Sequence, residues 1–387
     1  MNALRSHLLA VGAWLALTCF SIAAPAAHAG ETIRIGMIVS ATGPASFLGE
    51  PQRNTAKMLE EDLNKAGGLL GRKVEIIVYD DETDATKAVT AADRLIKRDR
   101  VVAIVCPSTS PNTLAIIPKM EEAKVPLVSC AAARRIVEPV HPWIFKVAAS
   151  DILTVRKIFA HAKGQGISRV AMLTASDAYG AGGREDMKEV AAQSGIALVA
   201  DEVFGPKDTD MTAQLTKIKG TDAQAIIVWG TNPGPAVIAR NRVQLGIKTP
   251  LYMSSGVASK KFIELAGPEN AEGILLPAGR LIVEEQVPAA NPQKKVLASY
   301  VKEYEGRFKQ PVSTFGGHAY DAIMLVAQAV RDANAAEPAA IRDALEKIRG
   351  FWGTAGEFNF TATDHAGLTE DAFVIVRVTN GDWQMLK

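Results

Sequence analysis

From residue 31 onward, short apolar runs alternate with longer stretches in which apolar positions return every three or four residues. Ile33 to Val39 reads as a strand. The Gly43-Pro44 loop leads into a helix that runs to about Lys65, where Gly67-Gly68 and Gly71 stop it as C-caps do. Val74 to Tyr79 is the next strand, ended by Asp80-Asp81. Thr86 to Arg98 is a helix, Val101 to Val105 a buried strand, Thr113 to Ala123 a helix and Pro126 to Val128 a short strand. The alternation then restarts. Helices at Ile152 to Ala162, Gly183 to Gln193, Met211 to Ile218 and Pro235 to Leu245 interleave with strands at Arg169 to Leu173, Ile196 to Val203, Ala225 to Trp229 and Leu251 to Met253. A helical region follows at Gln293 to Phe308, His318 to Ala335 and Ala339 to Ile348. A strand at Ala372 to Val378 and the Asn380-Gly381 turn close the chain before Trp383.

Strands alternating with helices imply parallel sheets with right-handed crossovers. The pattern therefore predicts an α/β protein of two similar Rossmann-like halves in tandem, without short sequence repeats. Ala148 to Asp151, Leu276 to Gly279 and Gly353 to Phe360 are the expected passages between halves. Two bodies joined this way imply a hinge and a cleft. Ligands of open α/β sheets bind beyond the carboxyl ends of the strands, so each strand-to-helix loop is a candidate site.

The extreme N-terminus changes the compartment. Arg5 and His7 precede the apolar stretch Leu8 to Ala24, and Ala27-His28-Ala29 is an A-x-A cleavage signal before Gly30. Residues 1–29 read as a secretory signal peptide rather than an anchor, because the apolar core is short and ends in Ala and Pro. Leu17-Thr18 before Cys19 is a poor lipoprotein site. Composition is ordinary for a globular chain of 387 residues, 48% hydrophobic and 22% charged. No second long apolar run exists, which excludes a polytopic membrane protein. A net charge of +1 gives no electrostatic case for nucleic acid. Cys106 and Cys130 remain after cleavage. Both follow strand-like runs, and an exported disulfide or two buried thiols are equally open. The histidines lack metal spacing, and no cofactor motif, Walker loop, G-x-S-x-G elbow or H-E-x-x-H helix occurs.

Candidate chemistry lies in the loops. Ser108-Thr109-Ser110-Pro111 crowds three hydroxyls at a helix start, with Ser110 fitting the N-cap and Pro111 the first helical position. Capping needs one hydroxyl, so the others suit an anion at the positive helix end. Pro118 should kink or shorten that helix. Ala131-Ala132-Ala133 ends the next strand and lets a ligand approach the backbone, although a tight turn explains it as well. Arg134 and Arg135 read as solvated surface. Tyr179, in the Gly-rich loop Thr174 to Gly183, offers a ring and a hydroxyl to a cleft. Thr231, Asn232 and Ser255 end further strands and can bond a ligand or stabilise turns. Asp80-Asp81 point oppositely on a strand and make no shared acid/base site. His141, His161, His318 and His365 read as structural or exposed.

Taken together, these loops resemble the solute-binding proteins of branched-chain amino acid ABC transporters across residues 31–387. The matches are Ile35-Gly36 with Thr42-Gly43-Pro44, Asn64 to Gly68, Tyr79-Asp80-Asp81, Ser110, Val125-Pro126, Tyr179-Gly180 and His318 to Ala322. The resemblance implies a type I periplasmic binding fold with three crossovers, one lobe from residues 30–148 and 279–356, the other from 149–278 and 357–387. It implies a periplasmic, monomeric, non-enzymatic binder without cofactor that serves an inner-membrane ABC permease. It assigns the ligand carboxylate to Ser110 and to the backbone at Ala131 and Ala133. Tyr179 would cover the ligand, Thr231, Asn232 and Ser255 would face the cleft, and Leu48 would add an apolar wall. Amino-acid binders place a hydroxyl at the Ala133 position and an acid at the Ser255 position. This chain has neither, and a buried ammonium without an acid is costly. The ligand expected is thus a carboxylate without an obligatory amine, an aromatic or keto acid. A hydrophobic or branched-chain amino acid fits if Glu284 or Asp177 supplies the acid. A sensor module for a membrane receptor is the alternative role. Thr83 stands where the family's usual disulfide partner lies, which leaves Cys106 free or paired with Cys130.

Overall fold

A computed structural model describes residues 31–386; the expected signal peptide lies outside the described residues. The first half runs β1 (Ile33–Val39), α1 (Ser46–Lys65), β2 (Val74–Asp80), α2 (Ala85–Lys97), β3 (Ala103–Val105), α3 (Ser110–Ala123), β4 (Leu127–Ser129) and β5 (Ile144–Lys146). Its five strands form an all-parallel sheet in the order β2-β1-β3-β4-β5. The second half runs α4 (Asp151–Gly164), β6 (Arg169–Ala175), α5 (Ala178–Ser194), β7 (Ala197–Phe204), α6 (Thr212–Lys219), β8 (Ala225–Trp229), α7 (Gly234–Gln244), β9 (Leu251–Met253), α8 (Lys260–Ala266), α9 (Pro268–Ala271) and β10 (Leu275–Ala278). The chain then returns through α10 (Lys294–Phe308), α11 (Thr314–Ala333), α12 (Pro338–Leu345) and the small hairpin β11 (Phe351–Trp352) and β12 (Glu357–Phe358). It ends in β13 (Val374–Thr379) and β14 (Asp382–Met385). The second sheet has the order β14-β13-β10-β9-β8-β6-β7, parallel except where β13 pairs with β10 and β14.

Both sheets are buried on both faces, which explains why their strands read as continuous apolar runs. Against the first sheet, residues of α1, α11 and α12 build one core, and those of α2 and α3 another. Against the second, α6 to α8 cover one face, and α4 and α5 the other.

Several helices begin earlier than their apolar periodicity. α3, α5 and α11 start at Ser110, Ala178 and Thr314, where Thr109, Asp177 and Ser313 accept backbone N–H bonds as N-caps. Their first turns hold mostly small and polar residues, with Tyr179 and Phe315 as lone aromatics, so hydrophobic spacing alone misses them. Thr109, not Ser110, is thus the cap of α3. Pro118 does not shorten α3 either, because it lies on the exposed side, where water can meet the carbonyl it leaves unbonded. The segment around Leu276 is itself strand β10, and the chain leaves the second sheet at Gly279.

The lobe boundary expected after residue 356 shifts as well. Phe358, Phe360, Leu368, Ala372 and Phe373 all pack in the first core, and the second sheet is re-entered only at Val374. Among the described residues, no helix is long and apolar enough to cross a membrane.

Candidate functional site

A cavity of about 280 Å³ opens between the two sheets, beyond the carboxyl ends of β3, β4, β6, β8 and β9. Of the eight residues expected there, Leu48, Ser110, Ala131, Tyr179, Thr231, Asn232 and Ser255 line it. Ala133 does not. Its side chain is buried away from the cavity, and its amide donates to Ser110 Oγ at 3.3 Å. The amide of Ala131 is also engaged, donating to Ser129 Oγ at 3.1 Å.

The three hydroxyls at the start of α3 divide their work. Ser108 Oγ accepts from the Ser40 amide at 2.9 Å and donates to Gln52 at 2.5 Å. Thr109 caps the helix by accepting from the Asn112 amide. Ser110 is left with a hydroxyl proton to donate at the positive end of a fourteen-residue helix. Cys106 and Cys130 form a disulfide, 2.04 Å between sulfurs, that ties the end of β3 to the end of β4. The two loops it joins carry Ser110 and Ala131, and Cys130 itself lines the cavity.

Tyr179 packs in the core and faces the cavity at once, 5% exposed, with its ring 6.0 Å from that of Trp229. Glycine at 183 makes this possible: a Cβ there would lie 2.2 Å from the Trp229 indole nitrogen. The apolar walls include Leu48, Phe204, Leu281, Phe315 and Phe373. Against them stand polar groups without a protein partner: both side-chain atoms of Asn232, the Tyr179 hydroxyl, Asn112 Nδ2, Thr314 Oγ1 and His318 Nδ1. Buried polar groups are normally bonded, so an unpartnered set converging on one space marks where a ligand's polar atoms belong.

Sequence reading missed Asn112, Thr314 and His318. The last two sit in the first turns of α11, and Ser313 before Gly316-Gly317 was the available signal. Burial and the nearby charge of Lys146 push the His318 pKa down to about 4, so the imidazole is neutral at neutral pH. The acids named as substitutes differ. Glu284 pairs with Lys294 at 2.6 Å and is not on the cavity, whereas Asp177 lines it while capping α5 through the Gly180 amide at 2.8 Å. Asp81 is structural, accepting from Ser40 Oγ at 2.7 Å. Among the described residues, no acidic, histidine or cysteine cluster could hold a metal ion.

A buried, mostly apolar cavity between two α/β bodies defines a protein that encloses a small solute. A profile of the periplasmic binding protein family matches residues 32–382, and the chain belongs to that family. Its members bind solutes and are not enzymes. The leucine-, isoleucine-, valine-, threonine- and alanine-binding protein of Pseudomonas aeruginosa is 26% identical over 345 residues, 88% of this chain and 87% of that protein. An extracellular ligand-binding receptor of Rhodopseudomonas palustris HaA2 superimposes with a TM-score of 0.86 at 30% identity, covering 92% of this chain and 99% of that one. The branched-chain amino acid transporter substrate-binding protein of Streptococcus pneumoniae, solved with isoleucine, gives 0.81 at 25% identity, covering 92% and 100%.

Proposed function

We propose that this protein is the periplasmic solute-binding component of an ABC importer and captures a small carboxylate in the cleft. The carboxylate is held by the Ser110 hydroxyl at the N-terminus of α3. Tyr179 covers the solute, Leu48 packs on its apolar part, and Asn232, Thr231 and Ser255 meet its distal polar atoms. Residues 31–148 with 279–373 form one lobe. Residues 149–278 with the terminal strand pair form the other, and the lobes close by turning about the connecting segments. Closure follows from differential affinity of the solute for the closed form. The protein acts as a monomer, and its closed form is what the permease reads.

The observation that carries the ligand class is the lining itself. Its hydrogen-bonding groups are mostly neutral, with a hydroxyl rather than an acid at Ser255, and its charged members are Asp177 and Lys207. This favours an aromatic or keto acid over an α-amino acid. The second reading, a hydrophobic or branched-chain amino acid, is favoured by Asp177 on the cavity wall and by the named ligands of the relatives. A thermal-shift panel decides between them, using protein refolded to strip carried-over solute. Benzoate, phenylpyruvate and the keto acid of leucine are set beside leucine, isoleucine and phenylalanine. A ligand at a hundred times its Kd adds about 2.7 kcal/mol to the native state. Shifts with the amine-free acids alone are expected. Shifts with the amino acids alone would assign the ammonium to Asp177. Ser110→Ala should weaken the active compound roughly tenfold, and unchanged affinity would remove Ser110 from the site.

A further inference from the structure

Two arginines that read as solvated surface are engaged across the cleft. Arg134 and Arg135 open a short turn, Arg134–Ile136, after β4 on the side of the first sheet. The Arg134 guanidinium lies 2.8 Å from Glu189 and 3.1 Å from Asp186, both on α5 beside the second sheet. Arg135 reaches both carboxylate oxygens of Glu185, also on α5, at 2.7 Å. Behind the turn, Lys146 at the end of β5 is fully buried and donates to the carbonyls of Ala132 at 2.5 Å and Ala133 at 3.4 Å. Across the passage from Lys146, Asp151 opens α4. It too is fully buried, and neither of its carboxylate oxygens has a hydrogen-bond partner. The first half therefore presents Arg134, Arg135 and Lys146, and the second presents Asp151, Asp186, Glu185 and Glu189. Glu138, 3.7 Å from Arg134, and Asp364, near Lys146, are acids on the cationic side of this group, and Arg156 of α4 is a cation near Glu189 on the acidic side.

The same stretch of chain begins at the solute. Ala131 and Ala132 line the cavity, and Ala133 is bonded to Ser110. Residues 131–135 thus touch the binding site at one end and the opposite half at the other. The Asp186 side chain is only 3% exposed, so its pairing with Arg134 is screened less than a surface pair. Losing one partner of such a pair mainly speeds dissociation.

We propose that the turn carrying Arg134 and Arg135 is a clasp across the cleft that holds the closed form and so sets how long a bound solute is retained. This rests on the hinge-closing reading above. Small-angle scattering on the solute-free protein, and stopped-flow release of phenylpyruvate (or of leucine, where that compound shifts the melting point), test it. In Arg134→Gln/Arg135→Gln the closed-to-open ratio should fall about tenfold, read as a larger radius of gyration at low salt. Release should accelerate by a similar factor with little change in the association rate. At about 1 M salt, where screening acts within roughly 3 Å, the exposed Arg135–Glu185 pair should weaken while Arg134–Asp186 persists, so the wild type should move only part of the way toward the variant. Arg135→Glu alone should open the protein, and adding Glu185→Arg should close it again, which a merely structural role would not do. Unchanged radius and unchanged release rate in correctly folded variants would overturn the clasp. A clasp that responds while no panel compound binds would instead remove the carboxylate and amino-acid assignments of the solute.

Discussion

At the scale of single residues, His318 adds a polar group to the cavity wall without adding a charge. A neutral imidazole offers one donor and one acceptor, and its Nδ1 has no protein partner. It can meet a hydroxyl or carbonyl without placing a cation among apolar walls. In the unfolded chain this histidine takes up its proton near 6.5, and in the folded one near 4. Between those values the unfolded state binds more protons, so stability falls as pH falls from 6.5 toward 4. Denaturant titrations across that range should show a slope smaller by one proton in His318→Gln. An unchanged slope would mean that His318 titrates normally. Ser110 and Thr109 make a related point. Which of two neighbouring hydroxyls caps a helix depends on where the first turn begins, and one residue of shift converts a cap into a free donor.

Elements were legible wherever their residues repeat a period. The strands at β1, β2, β6 and β8 are mostly apolar, and α1, α2 and α10 carry apolar faces, so spacing found them. β5 is three residues long and β10 contains Pro277, so neither stood out. Site residues followed the same division. Those just after strand ends, such as Thr231 and Asn232, could be named because the fold class places ligands there, and Tyr179, in the first turn of α5, could be named because the Gly-rich run around it reads as a loop. Asn112, Thr314 and His318 lie inside helices, and nothing in their spacing separates a cavity wall from a packed one. The cysteines lay between these cases: each marked a strand end, yet only adjacency of β3 and β4 brings them together. At a sequence separation of 24, their bridge should contribute roughly 3 kcal/mol. Cys106→Ser/Cys130→Ser should therefore unfold at lower denaturant and also bind solute more weakly, since both loops it joins reach the cavity. Equal midpoints would show that the loops are held by their hydrogen bonds alone.

The whole molecule is knit by segments far apart in the chain. β10 is flanked on one side by β9 and on the other by β13, nearly at the terminus. Val376, Val378 and Trp383 from the last two strands fill the second core. A chain ending at residue 373 should lose that edge and show no cooperative thermal transition by calorimetry. A sharp transition would mean that the second sheet closes without its antiparallel pair.

The interleaving also bears on how the protein is made. The first sheet waits for α11 and α12 to cover it, and the second waits for β13 and β14. The second body cannot bury its core until the last two strands have been added, although its first strand lies more than 200 residues earlier. A polypeptide with one half left incomplete until the end of synthesis keeps much of its length extended, the state in which a narrow translocation channel can thread it.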